Sequence, residues 1–156
     1  GPLNNPVRIW INSVQEYRDL IQRACDFWTF YTGIRFTLET SSEVAKPYII
    51  IQSDFSNNPG PAAETKRTGV EPEISGGIIT LYRGWQVTDE TDKWQTIAHE
   101  LGHVLMITNG QGMDGQGHTD DGSLMDYRPG PIRPFIHAYQ QLALRILYSH
   151  QPGEPL

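Results

Sequence analysis

A single cysteine, Cys25, leaves the chain unable to form an internal disulfide. It falls within a helical pattern and has no neighbouring partner that would activate a thiolate, so it reads as a small buried hydrophobe. Basic residues are in the minority: 12 Lys and Arg against 18 Asp and Glu give a formal charge of −6. That balance argues against a nucleic-acid or anionic-membrane partner, because attraction to phosphate needs a basic surface. No apolar run approaches the length of a membrane span, no export signal is visible, and no internal repeat stands out. Histidine is also scarce, with five in the chain, so each can be weighed individually.

At 156 residues and 38% hydrophobic content the chain fits one domain with a real core. Gly1-Pro2-Leu3 reads as a cloning scar, which makes 4–156 the expected domain and leaves any export signal or pro-segment to lie upstream. With 15 glycines and 11 prolines, loops should be prominent. "VRIWIN" (7–12) is β-branched and aromatic, which suits a strand. Ser13-Val14-Gln15-Glu16 matches a capping box that would open a helix running to about Tyr31, with Gly33 as its stop signal. "IRFTLET" (34–40) and "YIIIQS" (48–53) read as a second and a third strand. Residues 54–75 hold three prolines and no helical or strand period, and they read as one long loop. "GGIITLY" (76–82) reads as a fourth strand and 83–87 as a short fifth. Trp94, Ile97, Ala98, Leu101, Val104 and Leu105 give a helix over about 91–107 its core face. A Gly- and Asp-rich loop (108–122) and a turn (123–133) follow, and Pro134 opens a last helix. The order predicts an α+β domain with four to five strands and three main helices.

The chemistry concentrates in "TIAHELGHVLMITNGQGMDGQGHTDDGSLMDY" (96–127). His99-Glu100-Leu101-Gly102-His103 has H-E-x-x-H spacing, and helical positions four apart share a face, so both imidazoles can address one ion. Glu100 is rotated about 100 degrees around the axis from His99, beside the ion's open position. Bound zinc lowers the pKa of water toward about 7, and a carboxylate there can take the proton. The bare motif also arises by chance in helices whose histidines are ordinary surface or core residues. Its place on a well-patterned helix in mid-domain favours one catalytic zinc.

A third ligand must come from elsewhere. His137 and His150 read as solvated or hydrogen-bonded residues of the last helix. His118 lies in the loop straight after the metal helix, beside Gly117, where glycine lets the chain reverse and bring a side chain back. It is the preferred candidate; Asp114, Asp120, Asp121 and Asp126 are its rivals, since carboxylate oxygen also binds zinc.

These residues resemble the metzincin clan of zinc endopeptidases, and within it the matrixin-like branch, whose pattern is H-E-x-x-H-x-x-G-x-x-H followed by a methionine turn. "HELGHVL" (99–105) is similar to its start and "GHTDDGSLMDY" (117–127) to its end. Between them Met106 and Asn109 stand where the clan has glycine and histidine, which an insertion over 106–116 reconciles. The resemblance extends to the order of elements over most of the chain and implies a twisted, mostly parallel sheet. It also implies that Met125 forms an apolar floor under the zinc. Tyr127 either helps to stabilise the oxyanion or is a pocket-wall aromatic. An extended peptide would pair with an edge strand formed by Gly77, Ile78, Ile79, Thr80 and Leu81. The segment 126–133, with Pro129 and Pro131, would wall the pocket for the residue after the cleaved bond. The second, structural zinc of matrixins would be absent, because 54–75 contain no histidine. Calcium at the Asp/Gly-rich loops is an open alternative to solvated turns.

The expected activity is zinc-dependent endopeptidase action on protein or peptide substrates, by a monomer secreted to the extracellular space. Two alternatives stand beside it: a zinc peptidase of another clan with an Asp ligand, and a catalytically dead binding module on a protease-like fold. Glu100 weighs against the second, because only turnover needs a carboxylate there.

Overall fold

The computed structural model describes residues 6–41, 49–70, 73–105, 124–125, 135–136 and 138–149. Among the described residues five strands form one sheet: β1 (Val7–Ile11), β2 (Phe36–Glu39), β3 (Ile49–Asp54), β4 (Ala63–Val70) and β5 (Glu73–Tyr82). Their spatial order is β2-β1-β3-β5-β4. All neighbours are parallel except β4, which runs antiparallel to β5 along the sheet edge. The helices are α1 (Arg18–Thr32), a single turn α2 (Arg83–Gln86), α3 (Glu90–Leu105) and α4 (Ala138–Ser149). The α+β class and the mostly parallel sheet agree with the sequence expectation.

Alternation along the strands decides which face holds the core. Ile9, Ile11, Ile49, Ile51, Ile79 and Leu81 are fully buried, while Trp10, Ile50, Ile78 and Thr80 between them are only half-buried. The buried set points toward α1 and α3, which pack on each other, and α3 also lies against β4 and β5. Trp28, with no exposed surface, reaches from α1 to α3 and donates its indole N–H to the Ala98 carbonyl at 2.8 Å. The Tyr148 hydroxyl of α4 donates to the Leu105 carbonyl at 3.1 Å, satisfying one of the carbonyls that a helix end leaves open. The helix carrying the two histidines is thus tied to both other long helices.

Several local expectations are corrected. The capping box does not form: Ser13 takes a left-handed φ of 61° and its hydroxyl lies 3.4 Å from Asn12 Oδ1. Val14, fully buried, anchors the turn instead, and a 3₁₀ turn (Gln15–Tyr17) precedes α1. Gly33 does end α1, with φ 76° and its N–H on the Thr29 carbonyl at 2.8 Å, the left-handed cap that glycine adopts without Cβ strain. Residues 54–75 are not one loop; they contain β4 and the first residues of β5. The short strand expected over 83–87 is the helical turn α2. The last helix begins at Ala138 rather than at Pro134.

Candidate metal centre

His99 and His103 stand on successive turns of α3, their ring centroids 4.9 Å apart and their planes at 82°. His99 Nδ1 lies 2.8 Å from the Leu124 carbonyl oxygen. A carbonyl can only accept, so Nδ1 carries a proton, and in the neutral ring Nε2 then keeps its lone pair. Metal-binding imidazoles are oriented in this way, the second nitrogen fixing tautomer and ring direction. The arrangement fits a zinc ion in its donor chemistry.

Leu124 is itself placed by the donation of its N–H to the Phe135 carbonyl at 2.8 Å. The next residue, Met125, is fully buried against α3. A Cβ on Gly102 would stand 2.4 Å from Met125 Sδ and 2.8 Å from Trp28 Cζ2. Hydrogen at position 102 is what lets Met125 and Trp28 pack directly on the helix between His99 and His103.

Glu100 is buried, with 8% of its surface exposed, and Oε2 accepts a hydrogen bond from the Thr65 hydroxyl at 2.5 Å. The same hydroxyl oxygen lies 3.3 Å from the Glu100 main-chain oxygen. Thr65 belongs to β4 and pairs with Ile79, whose side chain faces the core, so Thr65 faces α3 as well. A cleft of about 900 Å³ is lined by His99, Glu100 and His103 from α3 and by residues from both faces of β4 and β5. At its rim the Tyr82 hydroxyl donates to Glu64 Oε2 at 2.9 Å. That bond to a carboxylate raises the phenol above its ordinary pKa.

The expected substrate strand needs correction. Gly77, Ile78, Ile79, Thr80 and Leu81 lie in β5, paired with β3 on one side and β4 on the other, so they do not form the sheet edge. Ile79 and Leu81 belong to the core, and a Cβ on Gly77 would meet Val104 at 2.8 Å. Only Ile78 and Thr80 of this group line the cleft. The edge beside the cleft is β4, within a polar stretch whose sequence reads as loop.

Among the described residues no three His, Cys, Asp or Glu side chains converge to hold an ion. The preferred third ligand His118 and its rivals Asp114, Asp120, Asp121 and Asp126 all lie outside the described residues, as do Tyr127, Pro129 and Pro131. Two contributors to the site escaped the sequence. The Leu124 carbonyl has no side-chain signature. Thr65 sits in a polar run whose strand period was not legible. Compared with protein-family models and with curated proteins, the chain finds no match in either.

Proposed function

We propose that this chain is a zinc-dependent endopeptidase of metzincin type. One observation carries the reading: two neighbouring imidazoles, one of them oriented by a backbone carbonyl, flank a buried carboxylate at the wall of an open cleft. His99 and His103 would hold the ion, with His118 as third ligand. When bound, the ion supplies Lewis acidity, polarising a carbonyl and acidifying water. Glu100 takes the proton from the attacking water and hands it to the leaving amine nitrogen as the peptide bond breaks. Tyr127 would support the oxyanion, and Met125 would close the floor. Pro129 and Pro131 would wall the pocket for the residue after the cleaved bond.

The peptide would be aligned by β4. The Tyr82 N–H donates to the Ala62 carbonyl at 2.9 Å. Antiparallel bonding alternates, so Ala62, Glu64 and Lys66 exchange bonds with β5 while Ala63, Thr65 and Arg67 turn their N–H and C=O away from it. Those outward groups form a ladder for an extended substrate that does not depend on its side chains.

A casein or peptide-library digest tests the reading. Cleavage is expected to vanish with a chelator and return with added zinc. Glu100→Ala should keep zinc binding and lose about 10²–10⁴-fold in rate, the usual contribution of general-base catalysis. Chelator-insensitive cleavage, or a mutant as fast as the parent, overturns it. Anomalous scattering at the zinc edge identifies the third ligand, and an aspartate there would move the chain to another clan.

A further inference from the structure

We infer that Thr65 is a positioning residue for Glu100, setting the direction of the base and the register of the substrate from one point on β4. The inference rests on the peptidase reading but adds a residue that motif spacing does not reveal. Its basis is a contact between distant parts of the chain: the Thr65 hydroxyl on Glu100 Oε2 at 2.5 Å, across 35 residues of sequence. A glutamate side chain has three rotatable bonds, and a buried one near an open cleft needs an anchor to hold a single direction. The hydroxyl engages Oε2 and so fixes the direction in which the carboxylate points. The main-chain groups of the same residue turn away from β5, toward the place where an extended peptide would lie. Peptide and base are therefore referenced to one Cα. Such shared referencing keeps reacting atoms in near-attack geometry, where an error of about 1 Å can cost about 10²-fold in rate.

Thr65→Val tests this, because valine keeps the β-branched shape that suits a strand and deletes only the hydroxyl. In the full chain with zinc, kcat should fall about tenfold or more while KM stays within about twofold, since the backbone ladder remains. Thr65→Ser, which restores the hydroxyl, should recover kcat to within about threefold of the parent. A second readout needs neither metal nor turnover. In chelator-treated protein, Thr65→Val should lower the folding equilibrium constant about tenfold when Glu100 is present and hardly at all in a Glu100→Ala background, because the Thr65–Glu100 hydrogen bond is there to be lost only in the first case. Unchanged kcat in Thr65→Val, no rescue by serine, or equal stability losses in the two backgrounds overturns the role of Thr65 and leaves the peptidase reading standing. Failure of the parent chain to cleave any peptide overturns both.

Discussion

Replacing Gly102 by alanine adds one methyl to the most crowded point of α3. In an exposed helix the change would stabilise by about 1 kcal/mol, because alanine is the better helix former. Here the new Cβ would lie 2.4 Å from Met125 Sδ, 3.1 Å from Met125 Cε and 2.8 Å from Trp28 Cζ2. Carbon atoms in contact sit about 3.5–4.0 Å apart, so both neighbours must retreat. Trp28 cannot do so freely, since its indole N–H holds the Ala98 carbonyl at 2.8 Å and its ring is fully buried. Overpacking of this kind costs about 1–3 kcal/mol, and losing the buried indole bond would add about 1–3 kcal/mol. After the propensity gain, a net loss of about 1–5 kcal/mol is expected in urea unfolding followed by tryptophan fluorescence. The displacement should also reach the candidate metal centre. Met125 follows Leu124 directly, and the Leu124 carbonyl orients His99. Disturbing such an outer partner typically weakens metal binding about 10–100-fold, which a competition titration against a chelating dye measures. A Gly102→Ala chain as stable as the parent, with unchanged zinc affinity, would refute the close packing of Met125 and Trp28 on α3.

Two further predictions concern the core. Burial, with Asp26 adding to it, pushes the Cys25 thiol far above its ordinary pKa, so the reactive thiolate is suppressed in the folded chain. A disulfide reagent should label it only as denaturant unfolds the protein, and rapid labelling in native buffer would contradict its placement. Ile79→Ala should cost about 2–5 kcal/mol in chemical denaturation, as for other buried isoleucines. Ile78→Ala, on the opposite and half-exposed face, should cost no more than about half as much. Equal losses at the two positions would mean that the strand faces are wrongly assigned.

The parts of the fold that could be read from the sequence are those where burial leaves a periodic trace. In "VRIWI" and "YIIIQS" apolar side chains alternate or run together, and β1 and β3 lie where that pattern places them. Gly33 and the apolar face of α3 were legible for the same reason: a single local requirement dictated the residue. β4 was not. An edge strand with one neighbour and a face toward a cleft has little to bury, and among Ala63, Glu64, Thr65, Lys66 and Arg67 only Ala63 is buried. Glu64-Thr65-Lys66-Arg67 therefore reads as polar loop, and the strand exists because β5 supplies its partner. The Ser13–Glu16 signature failed for the converse reason. Its local hydrogen bonds lost to the burial of Val14, a tertiary demand outside the four-residue window. At the site, the H-E-x-x-H spacing located the two imidazoles and the carboxylate, but Thr65 and the Leu124 carbonyl come from chain segments that only folding brings near.

The charges on β4 also bear on a hazard that any open strand carries. A row of outward main-chain groups that could receive a substrate could equally receive strands from other molecules and seed aggregation. Joining one strand demands only those main-chain bonds. Growing into stacked sheets demands that both faces become dry. Glu64 and Lys66 stand on one face of β4, and Arg67 stands on the other. A single guest would leave the exposed Glu64 and Lys66 in water, whereas a stack would strip the water from both at a large desolvation cost. The polar sequence that made this strand hard to recognise thus works against that stacking.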